Sequence, residues 1–147
     1  MPIFLALVFS FFESGWLMTR TIMQDAALER VIRGLRIDQD TTVTSNGLKR
    51  DLCERSLIFE DCEANTMVEM VTLRSDSDQI PDRPPSCRHA GQTPPFVPGG
   101  QSDFIFIRVC TVVRPLTPLI GLAVALPDER SGAFGIVSLS GFVNEPR

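Results

Sequence analysis

Basic charge, histidine and tyrosine are all scarce in this chain of 147 residues. Lys and Arg number 14 against 18 Asp and Glu, a formal net charge of -4 with a pI near 4.9, so a nucleic-acid-binding surface has no global electrostatic support. The single histidine, His89, lies in a proline-rich stretch and leaves no readable catalytic triad. Neither G-x-x-x-x-G-K-[ST] nor G-x-G-x-x-G occurs, which removes the usual support for nucleotide binding. Cys87 and His89 do not make a zinc set with the other cysteines, because no close C-x2-C pair occurs. Glu60, Asp61 and Glu63 read as a solvated acidic turn rather than a calcium loop. Tyrosine is missing beside ten phenylalanines, and no function follows from that. These absences argue against an enzyme, a cofactor, a small-molecule substrate and a nucleic-acid partner. Proteins and the lipid bilayer remain as expected partners.

A further absence is positional. Residues 2–18, PIFLALVFSFFESGWLM, contain no Lys, Arg or Asp. As a helix rising about 1.5 Å per residue they extend about 26 Å, slightly less than the hydrocarbon core of a bilayer at about 30 Å. The helical pattern continues through TRTIMQDAALERVIRGLR, with Ile22, Met23, Ala26, Ala27, Val31, Ile32 and Leu35 set among charges and Glu29 spaced to pair with Arg33. The expectation is one rod, with a transmembrane part over 1–18 and an amphipathic extension over 19–36, weakened near its end by Gly34. A secretory signal peptide fits poorly, since the run has neither a basic n-region nor an A-x-A-like cleavage site.

Within that run Glu13 is the one acid, and an ionisable group at the bilayer centre costs roughly 2.5 kcal/mol or more. On a helical wheel it gathers with Ala6, Ser10 and Ser14, while Phe4, Val8, Phe11 and Met18 point the other way. Small residues at every fourth position allow close helix approach in lipid. Glu13, Ala6, Ser10 and Ser14 are therefore expected to form a helix-packing face, the alternative being a carboxylate that snorkels to the bilayer edge.

The remainder, 37–147, reads as one α+β domain. A helix is expected over about 46–58, capped by Ser45 or Asn46 with Leu48, Leu52 and Leu57 on its apolar face. Strands are expected at 66–75, at 103–114 as the central strand, and at 133–143, where Ile136, Ser138 and Ser140 alternate with Val137, Leu139 and Gly141 to leave one solvated face. Residues 76–102 hold six prolines and predict an irregular loop. The apolar stretch 116–126, between prolines, suits a short helix and is too short for a second span. That order predicts a small antiparallel sheet packed on the end of a long helix. Four cysteines allow three pairings. The shortest loop favours Cys53 with Cys62, leaving Cys87 with Cys110, and free thiols packed as small hydrophobes are the alternative.

Two segments carry a family likeness. FFESG followed by MQDAALERVIRG, and the closing RVCTVVRPLTPLIGLAVALPDERSGAFGIVSLSGFVNEPR, resemble the two ends of TadE-like proteins, the pseudopilins of tight-adherence pili. There an apolar stretch ending in a glutamate and a small residue runs into an amphipathic helix. A strand, a proline-flanked apolar segment and a terminal Asn-Glu-Pro complete the likeness. The resemblance implies a pilin-like single-pass protein of the bacterial inner membrane, its C-terminal domain periplasmic, acting in pilus assembly or as a minor subunit of the fibre. Its implied partners are other pilins or pseudopilins and inner-membrane assembly proteins. Family members carry a basic leader, a cleavage glycine and a glutamate upstream of the apolar run. Met1-Pro2 falls inside the expected helix, so Glu13 corresponds to the later, mid-helix glutamate. A periplasmic domain agrees with disulfides, although Arg20, Arg30, Arg33 and Arg36 after the span would by the positive-inside tendency hold the domain in the cytoplasm. A membrane-anchored periplasmic binding or sensor domain using the 76–102 loop is the alternative function, and a membrane-anchored hydrolase a more distant one.

Overall fold

After Pro2, whose fixed φ suits a first helical position, no proline interrupts the chain before residue 81. Helix α1 accordingly runs unbroken over Pro2–Ile37, passing through Gly34 without a stop. A computed structural model of the chain describes residues 2–37, 43–56, 59–73, 87, 94–100, 102–117 and 132–144. Residues 57–58, 74–75, 118–126 and most of the 76–102 loop, His89 included, lie outside the described residues, and with them the expectations placed there.

Helix α2 spans Ser45–Ser56 and the single turn α3 spans Cys62–Asn65. The cap of α2 is Thr44, not Ser45 or Asn46. Its hydroxyl accepts the Gly47 amide at 3.1 Å and its carbonyl accepts the Leu48 amide at 3.0 Å, so the helix begins earlier than expected. The pattern of the sequence predicts no element at α3. Asp61 adopts a left-handed φ of 48°, a conformation that Asp tolerates better than most residues, and its carbonyl accepts the amides of Ala64 and Asn65. Glu60, Asp61 and Glu63 are all exposed.

Three strands, β1 (Thr66–Leu73), β2 (Phe104–Val113) and β3 (Phe134–Val143), form an antiparallel sheet in the order β1-β2-β3. This is an α+β architecture with β2 central, as expected from its β-branched and aromatic content. The register aligns Val68, Val109 and Ser138, and next to them Met70, Ile107 and Ser140. That face meets α1 and α2. Ala27, Leu28, Val31 and Ile32 of α1 and Leu48 and Leu52 of α2 pack there against Val68, Met70, Ile105, Ile107, Val109 and Phe142. Along β3 the solvated side is the one bearing Leu139 and Gly141, while Ser138 is buried. The outer edge of β1 is taken by 95–97, where the Met70 amide donates to the Pro95 carbonyl at 3.0 Å and the Val97 amide to the Met70 carbonyl at 2.9 Å.

The face of α1 turned to the core differs from the expected one. Ile22 and Met23 are exposed and Gln24 is buried, because the 3.6-residue period through Leu28 and Ile32 places Gln24, not Ile22, on the sheet side. Glu29 does not pair with Arg33; it accepts a hydrogen bond from the Ser140 hydroxyl at 3.4 Å. All four cysteines are bonded, Cys53 to Cys62 with Cα atoms 5.7 Å apart and Cys87 to Cys110 at 5.1 Å. The first bond ties α2 to α3. The second anchors the proline-rich segment to the back of β2, beside the buried pair of Arg108 and Glu69, 3.4 Å apart.

Candidate functional site along the N-terminal helix

Helix α1 has two environments. Its C-terminal half is core, whereas Ile3, Phe4, Leu5, Leu7, Phe11, Phe12 and Met18 are exposed, Phe11 by 77 %. The helix is long and apolar enough to cross a membrane, and only 6 % of its most apolar window is buried. Three hydroxyls along this stretch are satisfied within the helix. The hydroxyls of Ser10, Thr19 and Thr21 donate to the carbonyls of Ala6, Gly15 and Leu17 at 2.8, 2.9 and 3.0 Å, as an environment without water requires.

Glu13 stands where the two environments meet. It is 1 % exposed. One carboxylate oxygen accepts the Leu116 amide at 2.8 Å; the other accepts the Thr117 amide at 3.1 Å and, in a short contact, the Thr117 hydroxyl. The corner that follows β2 is thereby held against the middle of the helix. Three donors converge on one acceptor group, and they come from the chain itself rather than from a neighbouring helix. Ala6, Ser10 and Ser14 are half-buried along the flank of this row, and Ser10 spends its hydroxyl on Ala6. Among the described residues, Glu13 alone of the expected packing face is hydrogen-bonded to the domain.

Further polar residues continue the row. Arg20 lies with its guanidinium 5.0 Å from the Trp16 ring centroid, and its Nη1 donates to the Arg114 carbonyl at 3.4 Å. Burial pushes the Arg20 guanidinium below its ordinary range, and the negative charges of Glu60 and then Glu13 act against that shift. Gln24 is 0 % exposed, and its Nε2 donates to the carbonyls of Val109 and Ile136 at 3.4 and 3.3 Å. Asp25 accepts the Ser138 hydroxyl. Arg20 Nε and Gln24 Oε1 are buried with no hydrogen-bond partner among the described residues. Beside this row Phe11, Phe12, Gly15, Trp16 and Thr19 of α1 and Leu116 of the corner line an open apolar groove of about 540 Å³. Gly15 forms a notch in it, since a Cβ there would meet nothing within 4 Å.

Sequence reasoning passed over Leu116, Thr117, Arg20, Gln24 and the groove. A signal for the first two was present. In RPLTP two amides stand between prolines that cannot donate, so they need an acceptor from outside a regular ladder. Among the described residues no three His, Cys, Asp or Glu side chains group as a metal set. The chain matches no family model, no curated protein and no solved structure.

Proposed function

We propose that the chain is a pseudopilin-like structural component of a tight-adherence pilus machine, anchored in the inner membrane by residues 1–18 with its α+β domain in the periplasm. The observation that carries this reading is that a single rod, α1, is bare and apolar at one end and forms the domain core at the other. A domain grafted on an anchor through a flexible linker can turn freely. Here anchor and domain share one helix, and Glu13 adds a second attachment 103 residues away in sequence, so the orientation of the domain reports the orientation of the membrane helix. Such coupling suits a subunit that assembles by stacking helices. The two disulfides suit an oxidising compartment, and the resemblance of both chain ends to TadE-like proteins supplies the class of machine.

The test is site-specific photo-crosslinking in cells, with the probe at the exposed positions Phe4 and Phe11 and, as a control, at Arg50 on the outer side of α2. The reading expects protein adducts at Phe4 or Phe11, with like subunits or inner-membrane assembly proteins. Adducts to lipid alone at both helix positions would refute it.

A further inference from the structure

We propose that the groove between Phe11, Phe12, Gly15, Trp16, Thr19 and Leu116 is a binding site for one anionic phospholipid, its acyl chain lying over Gly15 and its phosphate meeting Arg20. This rests on the membrane anchor of the preceding reading and goes beyond it.

Below Arg20 the exposed apolar surface of α1 reaches from Ile3 to Met18, about 23 Å at the helical rise, so Trp16 and Arg20 stand near the edge of a hydrocarbon core of about 30 Å. On the side facing the domain the bare surface ends sooner, because Glu13 holds Leu116 and Thr117 against the helix. Leu116 is itself exposed. Among the described residues the groove is therefore the place where the corner and the bare helix are both exposed. Trp16 and Arg20 lie at its upper end, the pairing of residue types found at a membrane–water interface. From Arg20 to Phe12 is about 12 Å along the axis, most of the depth of one leaflet.

Charge selects the occupant. Arg20 forms no ion pair among the described residues, and its Nε is buried without a hydrogen-bond partner among them. Phosphate oxygens match a guanidinium with charge-assisted hydrogen bonds. The opposing acids are Glu60, which is exposed, and Glu13, whose oxygens are engaged by the corner. A phospholipid brings both the chain and the acceptor.

Trp16 is the only tryptophan and lines the groove, which makes it the reporter. The full chain is reconstituted in phosphatidylcholine vesicles doped with either brominated phosphatidylglycerol or brominated phosphatidylcholine, and quenching of Trp16 is followed against mole fraction. The proposal expects half-maximal quenching by phosphatidylglycerol at about fivefold lower mole fraction, the factor one cation contributes near anionic lipid. In Arg20→Gln the two curves should coincide with quenching retained. Gly15→Leu should fill the notch and remove the preference too, at no cost to the fold because the site is open. Coincident curves in the unsubstituted chain, or a preference that survives both substitutions, would overturn the proposal. If vesicles float with the chain yet neither lipid quenches, another helix fills the groove: the lipid site fails and the anchor stands. If the chain does not float with vesicles, the anchor reading fails and takes the lipid site with it.

Discussion

Substituting Glu13 by leucine sets two effects against each other. An ionisable side chain in hydrocarbon costs roughly 2.5–3.5 kcal/mol on insertion scales, so if Glu13 were a passenger on the helix, Glu13→Leu would deepen membrane insertion and leave the domain unchanged. In the structure the carboxylate accepts both amides of the corner and the Thr117 hydroxyl. Leucine would leave those amides in a half-buried place with no acceptor, and an unsatisfied buried donor costs about 1–3 kcal/mol. Two such amides, partly relieved by movement of an open corner, give a local loss of about 2–4 kcal/mol. Hydrogen exchange reads opening free energy residue by residue. The amides of Leu116 and Thr117 should exchange about 30- to 1000-fold faster in Glu13→Leu, with those of the β2 centre, such as Ile107, unchanged. Glu13→Gln retains one acceptor oxygen and should lie between the two. Unchanged exchange at residues 116 and 117 in Glu13→Leu would refute the clamp.

Three other outcomes follow from the packing. Leu28→Ala should lower stability by about 2–5 kcal/mol, since Leu28 is buried in the main core, whereas Ile22→Ala, on the exposed side of the same helix, should change it by about 0.5 kcal/mol or less; denaturant titration in detergent compares them. Separations of 9 and 23 residues give the two disulfides loop-entropy contributions of about 2.6 and about 3.4 kcal/mol. The Cys87→Ser/Cys110→Ser double variant should therefore lose more in the same titration than Cys53→Ser/Cys62→Ser, and equal or reversed losses would count against the entropic argument. Gln24→Met removes a buried amide oxygen that has no partner and frees two strand carbonyls already placed in the sheet. Its stability should match or exceed that of the unsubstituted chain by up to about 1 kcal/mol, and a loss above about 2 kcal/mol would show that the Gln24 contacts matter more than its orphan oxygen costs.

What the sequence determined by itself is local. An uninterrupted apolar-then-amphipathic run dictates one long helix, since backbone hydrogen bonds within a helix need no distant partner. Runs such as FIFIRVCTVV dictate strands through β-branched and aromatic side chains, and the shortness of the 53–62 loop favours that cysteine pair. What tertiary structure decided is partnership across distance. A carboxylate accepts from any donor that packing brings near, so nothing in FFESG points to amides 103 residues on. Likewise, whether Ile22 or Gln24 faces the sheet depends on the rotation at which α1 settles on β2 and β3. Apolar residues occupy both sides of that helix, and only contact with the sheet separates the side that becomes core from the side left for lipid.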